Sequence, residues 1–137
     1  MEILNQIHTF SSFALFGLIW TVQLVHYPTF LYVSEGEFSK FEDFHKKAIT
    51  LIVMPLMLLE LLSATGLLYF EYNTIHLINF VIVTLIWMST MFISVPLHND
   101  LSDGKNEKSI EKLISTNWIR TILWSIKSGI LLLANYH

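Results

Sequence analysis

Four long stretches with few or no charged side chains constrain this sequence more than any other feature. Two of them contain no Asp, Glu, Lys or Arg at all. A third contains only Glu60, and the last contains only Arg120 and Lys127. A helix needs about 20 mostly apolar residues to cross a bilayer, and all four stretches reach that length. They are residues 3–34, 48–70, 72–99 and 113–136.

The stretches predict an all-α protein, an integral membrane four-helix bundle that forms a single transmembrane domain, 1–137. Charged residues make up 14% of the chain, against roughly 25% in soluble domains, which favours the same interpretation. Asn73 or Thr74 is expected to cap the third helix and Ser109 the fourth. The predicted helices are residues 5–33, 38–70, 74–98 and 109–135.

Lysines set the predicted orientation, because cytoplasmic loops of membrane proteins are enriched in Lys and Arg. Three lysines follow the first helix and three precede or begin the fourth, whereas the termini and the 71–74 turn have none. We therefore expect a multi-pass protein of the bacterial inner (plasma) membrane with both termini outside. These lysines are Lys40, Lys46, Lys47, Lys105, Lys108 and Lys112.

This topology places polar side chains from all four helices in one layer near the inner end. Gln23 and His26 are three residues apart and so share a helix face. The prolines Pro28, Pro55 and Pro96 each remove a helical hydrogen bond, which is tolerated in membranes where the backbone lines a cavity. The sequence thus predicts a polar pocket in the inner leaflet. Its expected residues are Gln23, His26, His45, His98, Asn117 and Arg120. A second group, His8, His76 and His137, is expected at the outer side.

The histidines leave three interpretations open. Two imidazoles facing each other can be the axial ligands of haem b, with His26 and His98 as an inner pair and His8 and His76 as an outer one. Alternatively, His26, His45 and His98 bind one Cu, Zn or Fe ion, since imidazole suits all three metals. In the third interpretation the layer is a hydrogen-bond network without a cofactor.

Glu60 and Lys127 lie near the middle of the second and fourth helices. A charged side chain at the centre of a spanning helix costs roughly 2.5–3.5 kcal/mol, so we expect the two to form a buried ion pair. The pair is either a structural link or part of a proton relay or substrate contact.

Three segments carry a resemblance to a known group. They are "IHTFSSFALFGLIW" with His8 and Trp20, "KKAITLIVMPLMLLELLSATGLLYF" with Pro55, and "IHLINFVIVTL" with His76. They loosely resemble the copper-resistance D family and the HemJ-type protoporphyrinogen oxidases, small bacterial four-helix membrane proteins. The resemblance implies a haem-associated protein with His8 at the early histidine. Where that group has a lysine soon after the histidine of helix three, this chain has residues 77–79, Leu-Ile-Asn.

Three other segments, "QLVHYP", "VPLHND" and "TNWIRT", more closely resemble a group of small bacterial membrane proteins without an assigned function. Redox chemistry on a membrane-soluble or tetrapyrrole substrate would follow from a haem or metal site. The alternative is a non-catalytic carrier of a solute or proton, or an accessory subunit of a homo-oligomer or larger membrane complex. Ser125 and Gly129 form a small-xxx-small pair suited to such packing. Nothing indicates nucleic-acid binding, and enzyme activity stays open.

Overall fold

The computed structural model describes residues 1–134 and is helical along nearly all of this range. It contains four long helices and, within these residues, no strand, which confirms the all-α prediction. The last three residues, including His137 and the predicted end of the fourth helix, lie outside the described range. The helices are α1 (Glu2–Tyr32), α2 (Glu35–Phe70), α3 (Thr74–Ser102) and α4 (Glu107–Ala134).

Helices α1, α2 and α3 are each long and apolar enough to cross a membrane. The described part of α4 is not apolar enough by the same measure. It carries Asn117, Arg120 and Lys127, and all three side chains are buried among the other helices. These polar side chains face the other helices. α4 therefore has a polar face towards the bundle interior and an apolar face on its outside.

The four helices pack around a common core. α1 lies against α2 and α4, and α3 lies against the same two helices, so α1 and α3 are diagonal to each other. The core between them is formed by side chains such as Leu15, Met57, Ile86 and Leu113, all nearly inaccessible. The end with the 33–34 and 103–106 connections is the predicted cytoplasmic end and is called the inner end here.

Asparagine side chains cap the last two helices. The Asn73 side-chain oxygen accepts from the backbone N–H of His76 at 2.9 Å, which confirms the predicted cap of α3. For α4 the prediction of Ser109 is wrong, because the helix begins two residues earlier. There Asn106 Oδ1 accepts from the backbone N–H of Ser109 at 3.2 Å.

Two of the three prolines follow a widened helical turn. A π turn at Val22–His26 ends two residues before Pro28, and another at Thr90–Ser94 ends two residues before Pro96. Proline has no N–H to donate to the preceding turn, so the hydrogen-bond pattern there must change. Such π turns are frequent at functional sites. By contrast, Pro55 lies within α2 without a break in the helix.

Candidate functional site

A cavity of about 250 Å³ lies among the four helices, towards the inner end. Most of its wall is aliphatic, with side chains such as Leu15, Ile19, Val53 and Met57. Trp124 also contributes to the wall. The polar residues that line it include Tyr27, His45, Lys46, Thr90, Ser94, His98, Asn99 and Arg120. The cavity, called the inner pocket below, thus combines an apolar wall with a cluster of hydrogen-bonding groups.

The inner pocket opens on one flank of the bundle. Its exposed lining residues come from two helices only, with Thr50 and Met54 on α2 and Val95 and Asn99 on α3. The lining residues contributed by α1 and α4 are buried or partly buried. The mouth therefore lies between α2 and α3, on a side surface of the bundle rather than on its end.

One chain of hydrogen bonds beside the pocket connects all four helices. Arg120 Nη2 on α4 donates to the Tyr27 hydroxyl on α1 at 3.2 Å. Tyr27 Oη lies 3.1 Å from His98 Nε2 on α3, and His98 Nδ1 lies 2.6 Å from Glu42 Oε1 on α2. Because a carboxylate can only accept, His98 donates to Glu42 from Nδ1, and in the neutral imidazole Nε2 then accepts from the Tyr27 hydroxyl.

A second branch binds Gln23 to α4. Arg120 Nε donates to Asn117 Oδ1 at 3.1 Å, and Asn117 Nδ2 donates to Gln23 Oε1 at 2.9 Å. Gln23 Nε2 in turn donates to the backbone carbonyl of Ile114 at 3.0 Å. Both polar atoms of the buried Gln23 amide, within the first π turn, are thereby hydrogen-bonded to α4.

The three inner histidines are close together, as the sequence predicts. His26 Nε2 lies 2.7 Å from His45 Nδ1, and the rings of His45 and His98 have centroids 5.1 Å apart. His45 is buried and lines the pocket, and its Nε2 has no hydrogen-bond partner among the described residues. Of the four ring nitrogens of His45 and His98, this buried atom is the one without a partner among the described residues.

The cluster is not arranged as a coordination site. Within residues 1–134, no group of three or more His, Cys, Asp or Glu side chains is placed to hold a metal ion. Both ring nitrogens of His98 are hydrogen-bonded to protein groups, and His26 Nε2 is bonded to His45. As positioned, His26 and His98 do not present two free nitrogens to a haem iron either. The haem and metal interpretations stay predictions.

The predicted ion pair is present in the middle of the bundle. Lys127 Nζ lies 2.9 Å from Glu60 Oε1, and both side chains are 0% exposed. Trp124 Nε1 donates to both Glu60 oxygens, at 3.2 and 3.1 Å, and Lys127 also donates to the Ser12 hydroxyl. The pair joins the diagonal helices α2 and α4, and both charged groups have hydrogen-bond partners.

The outer histidines are bonded separately. His8 is buried, with Nδ1 at 3.1 Å from Ser63 Oγ, whereas His76 Nε2 lies 3.5 Å from Glu71 Oε2 near the surface. Asn79 is also buried, and neither of its side-chain polar atoms has a partner among the described residues. The assignment of His8 and His76 as an outer pair of haem ligands stays a prediction.

Sequence reasoning missed two members of the inner network. Glu42 is not among the residues predicted for the inner layer, yet its side chain is completely buried there. A usable signal was the spacing of Phe38, Glu42 and His45, four and three residues apart, which places all three on one helix face. Tyr27 follows His26 directly, and nothing in its spacing distinguishes it from a lipid-facing tyrosine.

The chain was compared with protein-family models, curated proteins and solved structures, and none of them matches it. The resemblance to the copper-resistance D and HemJ-type proteins therefore stays a prediction from the quoted segments.

Proposed function

We propose that this chain is a membrane-embedded binding protein for a hydrophobic small molecule, which inserts a hydrogen-bonding head group into the inner pocket. The observation that carries the proposal is the pocket itself, an apolar cavity with convergent polar side chains. Ligand sites in proteins typically have this combination of apolar walls and a few placed polar groups. The binding role corresponds to the non-catalytic carrier among the sequence-based alternatives.

The size and position of the pocket indicate how such a molecule binds. Its volume of about 250 Å³ is slightly below the roughly 300–1,000 Å³ of most ligand pockets. The mouth between α2 and α3 is bordered by apolar side chains such as Met54 and Val95. A ligand longer than the pocket would continue through this mouth into the surrounding lipid.

The proposal includes four membrane spans in a bacterial inner membrane, with both termini outside. Support comes from the three apolar helices and from lysines in the 103–106 connection and at the inner ends of α2 and α4. As the fourth span, α4 would direct Asn117, Arg120 and Lys127 into the bundle and its aliphatic side chains towards lipid.

The test uses quenching of tryptophan fluorescence, because Trp124 lines the pocket. Dibromostearic acid and dibromostearyl alcohol would be titrated into protein purified in a neutral detergent. Ser94→Phe fills the pocket from α3, while Met91→Phe adds a similar ring on the exposed side of the same helix. We expect saturable quenching in the wild type and in Met91→Phe, and its loss in Ser94→Phe. Equal quenching in all three proteins, with equal melting temperatures, would overturn the proposal.

A redox role is the second candidate, favoured by the proximity of His26, His45 and His98. It requires these rings to exchange their present hydrogen bonds for a haem or metal ion. An absorption spectrum and elemental analysis of the wild type, His26→Ala and His98→Ala proteins test it. A haem or metal signal that disappears in both variants supports the role. Wild-type protein with neither signal after reconstitution contradicts it.

A further inference from the structure

We infer that the ligand of the inner pocket is an anionic single-chain amphiphile, whose carboxylate or phosphate head binds Arg120 and Lys46 while its chain leaves between α2 and α3. The inference rests on the proposed function and specifies the class of molecule. It follows from the charges around the pocket, the unused hydrogen-bond donors and the position of the mouth.

The charges that line the pocket are all of one sign. Arg120 and Lys46 are among its lining residues, and no Asp or Glu is. Among residues 1–134, neither cation has a carboxylate within 4.0 Å. Glu42 is connected to Arg120 only through Tyr27 and His98, and Glu60 is paired with Lys127.

Hydrogen-bond donors remain available beside the pocket. A guanidinium has five N–H groups, two of them on Nη1. The only hydrogen bond of Arg120 Nη1 within the described residues is a long one, 3.5 Å to Thr90 Oγ1, which leaves at least one N–H without a partner. Lys46 Nζ has one bond, to Ser102, out of three that it can donate.

His45 supplies a further donor when His26 donates to its Nδ1. In that tautomer the proton of His45 is on Nε2, the buried atom without a protein partner. The unused N–H groups of the lining residues thus belong to Arg120, Lys46 and this buried His45 atom, whereas hydroxyl groups such as those of Thr90 and Ser94 can donate or accept. A head group that accepts several hydrogen bonds at once matches this arrangement.

The buried charge distinguishes an anion from a neutral acceptor. A carbonyl or hydroxyl head would occupy the N–H groups but leave the Arg120 charge without a counter-ion in an apolar environment. Charged side chains inside membranes almost always pair, because an unpaired charge there is costly. A carboxylate or phosphate compensates the charge and can accept two parallel hydrogen bonds from a guanidinium.

The position of the mouth indicates the structure of the rest of the ligand. It faces sideways, with Thr50, Met54, Val95 and Asn99 at its edge, so a chain leaving the pocket enters lipid between two helices. The cavity volume of about 250 Å³ fits a head group with a short length of one chain. Fatty acids and lysophosphatidic acid share this chemistry and differ in the head group.

The experiment compares single-chain ligands whose head groups are either anionic or neutral. Dibromostearic acid, dibromostearyl alcohol and a brominated lysophosphatidic acid would be titrated in neutral detergent against the wild type, Arg120→Gln and Lys112→Gln. Lys112 is exposed on the same helix, so Lys112→Gln is a control for loss of charge. We expect the wild type to bind an anion about tenfold or more tightly than the alcohol, a preference lost in Arg120→Gln and kept in Lys112→Gln.

Each outcome bears on a different claim. If the wild type binds the acid and the alcohol equally tightly, the inference of an anionic ligand is wrong, but the proposed binding function is not contradicted. If no probe quenches saturably, the proposed function is wrong as well. Tight binding of only one anion identifies the head group. Alcohol binding and the melting temperature report whether Arg120→Gln is folded. If it is not, Lys46→Gln replaces it, and unchanged acid affinity in that variant contradicts the inference.

Discussion

Tyr27 and His98 lie on the diagonal helices α1 and α3, and the Tyr27 hydroxyl is hydrogen-bonded to His98 Nε2 across the interior at 3.1 Å. Arg120 and Glu42 extend this bond to α4 and α2. Since a buried polar group without a partner is costly, the four bonded side chains favour one relative position of the helices. Through these bonds Tyr27 and Glu42 hold His98 and Arg120 at the pocket wall.

Tyr27→Phe should destabilise the protein by about 1–3 kcal/mol, because it removes an acceptor from Arg120 and a donor from His98. Thermal unfolding in detergent measures the change. Tyr32→Phe is the matched control, since the Tyr32 side chain is 89% exposed. Equal melting temperatures for the two variants would show that the hydrogen-bonded chain contributes nothing to stability.

Glu60→Gln should cost about 3–5 kcal/mol, because it leaves the buried Lys127 ammonium without its counter-ion. The double variant Glu60→Gln, Lys127→Met removes both charges and should recover most of that loss. Unfolding of the two single variants and the double variant forms a double-mutant cycle that measures the coupling. Additive losses would show that the pair is not coupled.

Trp124→Phe should abolish the quenching of fluorescence by brominated ligands, because Trp124 is the tryptophan that lines the inner pocket. Trp118→Phe should keep it, since Trp118 is 39% exposed on the outer surface of α4. Both titrations use the probes described above. Quenching that survives in Trp124→Phe and disappears in Trp118→Phe would place the bound molecules on the lipid-facing surface.

Single cysteines test the orientation, because the chain has none of its own. Tyr72→Cys lies in the turn between α2 and α3, and Asp103→Cys lies in the connection between α3 and α4. An impermeant maleimide added to intact spheroplasts should label the first and not the second, and lysis should expose the second. The reverse pattern would place both termini in the cytoplasm.

Hydrophobic pattern and charge were enough to predict the helices and the Glu60–Lys127 pair. The long uncharged stretches have few stable alternatives to helices in lipid, and two opposite charges at similar depth gain most by pairing. The grouping of His26, His45 and His98 also follows from topology, because it depends only on depth along the helices.

The hydrogen-bond partners of the side chains in the inner layer were harder to predict from the sequence. Which nitrogen of His98 meets Tyr27, and which meets Glu42, depends on how far each helix is rotated about its axis. The π turn at Val22–His26 changes that rotation for every later residue of α1. Spacing counted at 3.6 residues per turn therefore loses accuracy beyond the turn, where Tyr27 lies.

The length of α2 has a consequence for exchange with lipid. Its 36 residues extend about 54 Å, well beyond the roughly 30 Å of bilayer hydrocarbon. When Phe70 marks the outer boundary of the hydrocarbon, about 20 residues of helix place the inner boundary near Thr50, at the edge of the pocket mouth. An amphiphile entering there would pass its charged head from the hydrated layer directly into the pocket, without first crossing the hydrocarbon. The pocket would then sample molecules of the inner leaflet and not those of the outer one.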